Sequence, residues 1–311
     1  MLRNKINSLN ISKEDINRRI IDAHIHLYVD TVQSSSGVIP YIDNYDFIKN
    51  ELIRFKSYGG SCVIDCTPYG CGRDGNVLRK LIMETGVNII TVTGFHKSQY
   101  YKTEGSVWNF NNREAEDFFI YEISNCLMEC SKHDTNIRAD LIKIAFNGEL
   151  EGKSLNLTDA AINASKKTNA QILVHTDQGL NIEYLADHIE TKNIDPKRVI
   201  LNHIDKRNDI NLHVNLARRG FYLEYDTFLR PKYNPDKNLW PLIVAMVDAG
   251  FENSIVAGSD IYGSDMWKEV SQNGGLANFF NLIIYNLQKL KIPREIIEKI
   301  IGGNAVKFLG L

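Results

Sequence analysis

The sequence predicts a closed (β/α)8 barrel, the TIM-barrel architecture of the α/β class. Its 311 residues suit one such barrel. Short apolar runs alternate with amphipathic helical patterns eight times, and each run is rich in Val and Ile, as in parallel strands buried on both faces. A doubly wound open sheet is the alternative, but the first run lacks the glycine-rich phosphate turn that such sheets often carry. We therefore expect a single domain over residues 1–311 with a short lead-in at about residues 1–18.

The eight predicted strands are separated by segments with helical periodicity. In order, the strands are Ile20–His24, Cys62–Cys66, Asn88–Thr93, Leu141–Phe146, Gln171–His175, Val199–His203, Phe221–Tyr225 and Ser254–Gly258. Helical periodicity is clearest over Asp46–Tyr58 and Glu114–Cys130, where apolar residues recur on one face. Gly86 and Gly220 lie where a helix must end before the next strand begins. This regular alternation is typical of a barrel in a single domain.

The composition argues against several classes of protein. Hydrophobic residues make up 43% of the chain and charged residues 24%, with a net charge of −2, so no general affinity for nucleic acid or membranes is indicated. No apolar run is long enough to cross a bilayer, and residues 1–17 lack the apolar core of a signal peptide. We expect a cytoplasmic protein.

The five cysteines are expected to be reduced thiols, because their number is odd and the protein is expected in the cytoplasm. A zinc site built from Cys62, Cys66 and Cys71 is an alternative, but no CxxC pair or nearby histidine accompanies them. Cys126 and Cys130 lie four residues apart on a helical pattern, where we expect them to act as small buried apolar residues.

Histidines and one aspartate follow several of the predicted strands. The C-terminal ends of barrel strands meet at one mouth, where the active sites of such folds lie. His24 and His26 are on the same side of the first strand, so both imidazoles can reach one cation. His175, His203 and Asp260 end or follow three other strands. This convergence predicts a metal site. Three histidines in helical or polar segments are expected to be ordinary hydrogen-bonding residues: His133, His188 and His213.

Lys143 is an unusual residue, because it lies inside the apolar fourth strand and lysine is rarely buried without a partner. In one interpretation its ammonium group reaches solvent at the barrel rim. In the other, burial and nearby cations lower the pKa of the amine, which then reacts with carbon dioxide. The resulting carbamate is an anionic, bidentate ligand that suits two adjacent divalent cations.

These residues together resemble the phosphotriesterase family of the amidohydrolase superfamily in their order and strand placement. The matching set is His24-x-His26, Lys143, His175, His203 and Asp260. Supporting stretches are Asp65-x-Thr67, Gly70–Asp74, Thr93-Gly94 and Asn304–Leu309, so the resemblance runs from about residue 20 to the C-terminus. The related deoxyribonuclease-like barrels carry Glu on strand four, and Lys143 therefore favours phosphotriesterase relatives.

The resemblance implies a metallo-dependent hydrolase with two divalent metal ions. It assigns one metal to His24, His26 and Asp260, the other to His175 and His203, and a bridging position to carbamylated Lys143 and a hydroxide. The hydroxide would attack the substrate, and Asp260 would be the catalytic proton acceptor. Zinc is the expected metal, with manganese or cobalt as alternatives.

The loops after strands three, six and seven are expected to select the substrate. Relatives that hydrolyse organophosphates or acyl-homoserine lactones tend to carry aromatic and aliphatic residues after strand three, and acidic and small residues after strand six. This chain carries basic residues and tyrosines in these loops. The predicted substrate-binding residues are His96, Lys97, Tyr100, Arg207 and Arg230. Lys206 and Lys232 are expected to be solvated surface charges. Basic groups beside tyrosines suit a small anionic substrate, so we expect a lactonase for a sugar lactone that carries phosphate, similar to one branch of the family.

Other functions stay open at this point. A phosphotriesterase or an acyl-homoserine lactonase is disfavoured by the polar loops, whereas a phosphodiesterase-type phosphate-ester hydrolase would use the same metals and basic groups. A non-catalytic ligand-binding relative would be expected to lack a metal ligand, and none is missing. Family relatives are usually homodimers, and we expect one here. Trp108 and Phe110 would serve its interface or pack beneath a loop.

Overall fold

The predicted barrel is confirmed by a computed structural model, which describes residues 20–30, 33–34, 37–38, 41–101, 106–130 and 137–311. Eight parallel strands form one sheet in chain order. They are β1 (Ile20–Ile25), β2 (Gly60–Asp65), β3 (Asn88–Gly94), β4 (Leu141–Phe146), β5 (Gln171–Thr176), β6 (Val199–Asn202), β7 (Tyr222–Tyr225) and β8 (Ile255–Ala257). The barrel nearly closes beyond the end of β8, where the amide of His26 donates to the carbonyl of Ile261 at 2.8 Å.

Helices surround the sheet on its outer side. Those described are α1 (Tyr45–Ser57), α2 (Gly75–Thr85), α3 (Asn112–Ser124), α4 (Gly152–Thr168), α5 (Ile182–Thr191), α6 (Ile210–Arg219), α7 (Leu239–Asp248), α8 (Ser264–Gln272), α9 (Gly275–Lys289), α10 (Arg294–Glu298) and α11 (Asn304–Leu309). A π-helical segment, Lys299–Gly303, joins α10 to α11. Among the described residues, no helix combines the length and apolar character needed to cross a membrane.

The strands bury both faces, which explains their continuous apolar sequences. One large apolar cluster includes helix residues together with outward strand residues, and a second fills the barrel interior. Helix α11 closes the interior at the N-terminal end of the strands, where Gln171 donates to the carbonyl of Phe308 at 2.8 Å. Polar residues line the opposite mouth, at the C-terminal ends of the strands.

The inner face of the barrel delivers several polar residues to this mouth by strand alternation. Leu141 and Leu173 belong to the interior cluster, and two residues further along the same strands are Lys143 and His175. Strand β1 departs from strict alternation, because its register with β2 shifts between Asp22 and Ile25. His24 therefore joins the inner site even though its neighbour Ala23 also lies in the interior cluster.

Some predicted boundaries are wrong in detail. Helix α3 ends at Ser124 rather than Cys130, because the amide of Leu127 pairs with the carbonyl of Ile137 at 2.9 Å and redirects the chain. Cys126 is consequently half-buried beyond the helix, whereas Cys130 is buried in a short 3-10 turn. The five thiols are free, and the potential metal-ligand groups of the described residues contain no cysteine. The predicted lead-in, residues 1–18, and His133 lie outside the described residues.

Candidate active site

A cavity of about 240 Å³ opens at the mouth of the barrel. Five of the six predicted metal ligands line this cavity, and the sixth, Lys143, is buried beneath it. The lining consists of His24, His26, Val29, Thr67, Pro68, Cys71, His96, Tyr100, His175, His203, Lys206, Arg230, Lys232, Tyr233, Asp260 and Tyr262. The structure therefore brings these strand ends together around one cavity.

His24 in β1 and His26 just beyond it are each held by a polar side chain from elsewhere in the barrel. The Nδ1 atom of His26 lies 2.7 Å from the hydroxyl of Thr67. Thr67 is in turn fixed by Asp65, whose carboxylate accepts from the Thr67 amide at 2.8 Å. The Nδ1 atom of His24 contacts the side-chain amide of Asn202, which ends β6. In both rings, Nε2 is the nitrogen left without a protein partner among these contacts.

His175 and His203 face each other across the site, with Nδ1 of the first 3.0 Å from Nε2 of the second. The remaining nitrogen of each ring contacts a carboxylate. Nε2 of His175 lies 3.2 Å from Asp177, and Nδ1 of His203 pairs closely with Asp226. Asp226 is positioned by Asp205, whose carboxylate accepts from the Asp226 amide at 3.0 Å.

Asp260 lies beyond β8 in the left-handed backbone region, with φ at 45°. Its carboxylate is 3.7 Å from Nε2 of His24 and 3.2 Å from the guanidinium of Arg230. The preceding residue, Ser259, donates from both its amide (2.9 Å) and its hydroxyl (2.6 Å) to the buried carboxyl of Asp22. Burial raises the pKa of Asp22 to about 7. Asp22 thus joins β1 to the segment that follows β8 and leads to Asp260.

The histidines fit a metal site by their hydrogen bonding and by their charge state. Each of the four has one ring nitrogen on a neighbouring protein group and the other turned toward the centre, which is the arrangement of metal-binding imidazoles. Burial lowers the pKa of His24 and His26 well below the usual value and that of His175 to about 3, so these three rings are neutral and can offer a lone pair. Nε2 of His24 is buried without a hydrogen-bond partner, as is Oδ1 of Asn202. With the Asn202 amide turned over, Oδ1 accepts from Nδ1–H and leaves Nε2 free for a cation.

Lys143 lies at the bottom of this group. Its side chain is fully buried, and Nζ donates to the carbonyl of Cys66 at 2.7 Å, so the interpretation in which it reaches solvent at the rim is wrong. Desolvation lowers the pKa of the amine. Gly94 makes room for this strand: a Cβ there would lie 2.0 Å from the Lys143 carbonyl oxygen, and its φ of +100° also favours glycine.

Two further carboxyl groups lie beneath the site, and the sequence interpretation did not include them. Glu224 and Asp226 form, with His24 and His203, a second group of potential metal ligands. Neither carboxyl lines the cavity, and both approach the Nδ1 edges of the histidines. Burial raises the pKa of Glu224 well above its usual value. We interpret these groups as hydrogen-bonding support. A charged residue inside an apolar strand, the same signal as Lys143, could have identified Glu224.

The comparison with known proteins agrees with this geometry. The profile of the phosphotriesterase family matches residues 5–309. The chain belongs to the phosphotriesterase family. Members of this family are metal-dependent hydrolases, and the His/Asp/Glu groups described above could hold such a metal in this chain.

This phosphotriesterase-family chain is similar to several named proteins. The chain is 26% identical to the phosphotriesterase homology protein of Escherichia coli over 77% of its own length and 80% of that protein. It is 27% identical to the phospho-furanose lactonase of Mycoplasmopsis synoviae over 93% and 87%. A crystal structure of a lactonase from Listeria monocytogenes superposes with a TM-score of 0.83 at 19% identity, covering 95% of each chain. At that identity, the structural likeness supports the fold alone.

The predicted substrate-binding residues fall into two groups. His96, Tyr100 and Arg230 line the cavity, whereas Lys97 and Arg207 are not part of its lining. The ammonium of Lys97 donates to Asp177 at 2.9 Å, and the guanidinium of Arg207 donates to Glu183 at 2.8 Å. His96 stacks on Tyr100 with ring centroids 4.4 Å apart, and its Nδ1 is buried without a partner.

The expectation for Lys206 is wrong. Its side chain is only 9% exposed, and the ammonium lies 3.2 Å from Asp226 and 3.5 Å from Asp260. These carboxylates raise the pKa of Lys206 despite its burial. The sequence suggested a solvated loop lysine, because the tight turn after β6 that points it inward is not visible from composition. Lys232 is exposed as expected, but it also lines the cavity.

The remaining predicted roles concern residues away from the site. His188 contacts Asp159 at 2.8 Å, and His213 contacts the hydroxyl of Tyr225 at 2.7 Å, so their interpretation as hydrogen-bonding residues is confirmed. The indole of Trp108 donates to the carbonyl of His96 at 2.9 Å. This contact places Trp108 beneath the β3 loop, the second of its two predicted roles.

Proposed function

We propose that the protein is a lactonase that uses two divalent cations to hydrolyse a sugar lactone carrying phosphate. One observation carries the choice of substrate: the cavity lining contains three cationic side chains, Lys206, Arg230 and Lys232, and one carboxylate, Asp260. We call these three cations the basic wall. Burial lowers the pKa of four other lining residues, His24, His26, His96 and His175, so these add no charge and the three cations outnumber the one carboxylate. Bound metal ions would increase this excess of positive charge. Such a site attracts a small anion.

We propose the same metal ligands that were predicted from the sequence. His24, His26 and Asp260 would hold one cation, His175 and His203 the other, and Lys143 would bridge as a carbamate. The burial of Lys143 and the lowered pKa of its amine support the last assignment. When bound, two such cations polarise the substrate carbonyl and acidify a water molecule. Zinc is the proposed metal, and manganese or cobalt would also suit imidazole and carboxylate ligands.

The protein side chains perform the other parts of the reaction. Asp260 would accept the proton of the attacking water. Its carboxylate lies 3.7 Å from Nε2 of His24, a proposed metal-binding atom, so it would be close to a water held by that cation. Arg230 holds this carboxylate at 3.2 Å and also donates to the Ser259 carbonyl at 3.0 Å, which keeps the loop in place. The free donors of the basic wall would bind the phosphate, and His96 and Tyr100 would contact the sugar.

A phosphorylated lactone fits better than the apolar substrates of other family members. The donors of the basic wall that Asp226 and Asp260 do not occupy would find no acceptor on an apolar organophosphate or on the acyl chain of an acyl-homoserine lactone, and their desolvation would cost binding energy. The resemblance to a phospho-furanose lactonase over 93% of this chain points in the same direction. A phosphate-ester hydrolase is the second candidate, because the same basic wall would bind the ester phosphate. A non-catalytic role has less support, since each expected ligand type is present at the mouth.

A hydrolysis screen tests the proposal. Purified protein would be freed of metal with a chelator, divided, and reloaded with zinc, manganese or cobalt, with bound metal measured per chain. Each form would be assayed on sugar lactones with and without phosphate, paraoxon, an acyl-homoserine lactone, and phosphate mono- and diesters. We expect about two metals per chain and a clear preference for phosphorylated lactones. Equal turnover of both lactone types, or ester hydrolysis without lactonase activity, would contradict the proposal.

Two further assignments concern the oligomeric state and the location of the protein. We retain the homodimer, which light scattering on the purified protein would test, although the contact of Trp108 with the His96 carbonyl engages its indole within the chain. We also retain the cytoplasmic location, which fits reduced cysteines, since the five thiols are unpaired.

A further inference from the structure

We propose that Asp177 and Lys97 form a positioning pair that fixes the tautomer of His175 and thereby strengthens metal binding by His175 and His203. Lys97 then acts through Asp177 on the metal site and is not a substrate contact. The inference rests on the proposed metal site and adds to it a residue pair outside the ligand set.

The carboxylate of Asp177 connects the other two residues. Its Oδ1 atom lies 3.2 Å from Nε2 of His175 and 2.9 Å from the ammonium of Lys97. A carboxylate can only accept hydrogen bonds, and a neutral imidazole carries one N–H. The contact therefore places the His175 proton on Nε2 and leaves a lone pair on Nδ1, the atom that faces Nε2 of His203 at 3.0 Å.

His203 has a comparable arrangement, in which Asp226 contacts one ring nitrogen and Lys206 lies 3.2 Å from that carboxylate. His203 places Nδ1 on Asp226, which is fully buried and is positioned through the protein backbone by Asp205. The Asp177 side chain is 37% exposed, so burial alone does not hold its carboxylate in one orientation. Lys97, with its side chain 24% exposed, supplies that restraint from the loop after β3. The Asp177 backbone is anchored separately, because its amide donates to the Phe146 carbonyl at 3.2 Å.

The alternative role for Lys97 is the one predicted from the sequence, a contact with the anionic substrate. The cavity lining argues against it, because it includes the three residues of the basic wall and neither Lys97 nor Asp177. The two roles predict different measurements. A substrate contact changes KM and leaves metal affinity unchanged, whereas a positioning pair changes metal affinity first.

The decisive variant is Asp177→Asn, which keeps the shape but lets an amide donate to Nε2 and so favours the wrong tautomer. Cobalt binding to the metal-free full-length protein would be measured by competition with a chromophoric chelator and by the visible absorption of the bound ion. We expect one of the two sites to lose affinity by roughly 10- to 100-fold, as is typical for such supporting groups, with an altered cobalt spectrum. Asp177→Glu should recover part of the loss.

Lys97→Met provides the second arm. We expect a smaller loss of cobalt affinity, reversed by Lys97→Arg, and little change in KM for a phosphorylated lactone once metal is saturating. Asp187→Asn is the matched control, because it removes the same charge from a carboxylate whose one ion pair among the described residues is with Arg219, outside the cavity lining. It should bind cobalt like the wild type. Thermal melting of the metal-free variants would verify that each is folded.

The possible results separate this inference from the proposed function. Unchanged cobalt affinity and spectrum in folded Asp177→Asn overturn the inference and leave the metal site intact. A raised KM in Lys97→Met with wild-type metal affinity also overturns it and restores Lys97 as a substrate contact. Failure of the wild-type protein to bind any of the tested metals would overturn the proposed function itself, and the positioning role with it.

Discussion

Replacing Arg230 by glutamine should distinguish binding of the substrate phosphate from organisation of the catalytic carboxylate. The guanidinium has two tasks in the structure. It lies 3.2 Å from the carboxylate of Asp260 and donates to the Ser259 carbonyl at 3.0 Å, and it also lines the cavity with Lys206 and Lys232. Its side chain is only 10% exposed, so screening by solvent is incomplete. Glutamine retains a donor for the backbone carbonyls and removes the charge.

The expected magnitude follows from the loss of one charged hydrogen bond to phosphate. Such bonds contribute about 1.5–3 kcal/mol. This corresponds to a fall of roughly 10- to 150-fold in kcat/KM, since about 1.36 kcal/mol is a factor of ten. The loss should appear mainly as a higher KM for the phosphorylated lactone. For the same lactone without phosphate, we expect only the smaller effect of a less restrained Asp260.

The assay would record the acid released by each lactone of the pair with a pH indicator, for the wild type and for Arg230→Gln at saturating metal. The preference for the phosphorylated substrate should fall by most of the predicted factor. Arg219→Gln is the control, because that arginine pairs with Asp187 and Glu190 of α5 and does not line the cavity. This variant should hydrolyse both substrates like the wild type. An equal fall for both lactones, with KM unchanged, would refute phosphate binding by Arg230.

Three other predictions concern the metal ligands and the acid stability of the fold. Thr67→Val removes the partner of His26 Nδ1 at 2.7 Å, and we expect zinc affinity at one site to fall by roughly 10-fold; equilibrium dialysis with unchanged zinc content would contradict this. Reloading of metal-free protein should be faster with added bicarbonate, which supplies carbon dioxide to Lys143, and Lys143→Met should abolish this dependence; a wild type indifferent to bicarbonate argues against the carbamate. Burial lowers the pKa of His213 to about 4, so the unfolded chain binds about one more proton between pH 6.5 and 4, and stability falls as pH decreases through this window. Denaturant unfolding of His213→Gln should show a pH slope smaller by up to about 1.4 kcal/mol per pH unit, and an unaltered slope would exclude His213 as the source.

The part of the fold that follows from the sequence is the part that depends on local patterns. Continuous Val- and Ile-rich runs predicted eight strands, because parallel strands buried on both faces exclude polar residues along their whole length. The C-terminal ends of those strands must share one mouth, so His24, His175 and His203 could be assigned to one site without coordinates. Lys143 was identifiable for the same reason, as a charged residue in a segment that otherwise excludes charge.

The tertiary structure decided what depends on backbone turns and on partners distant in the chain. Lys206 and Lys97 look alike in sequence, each basic and each a few residues beyond a strand. The turn after β6, where His203 adopts a φ of 63°, directs Lys206 between two carboxylates, whereas Lys97 meets an aspartate 80 residues away. Side-chain type shows which contacts a residue can make, and the packing of strand ends selects among them. The residue types at the strand ends could therefore be assigned to one mouth from the sequence, while the assignment of basic residues to the cavity or to a supporting role required the fold.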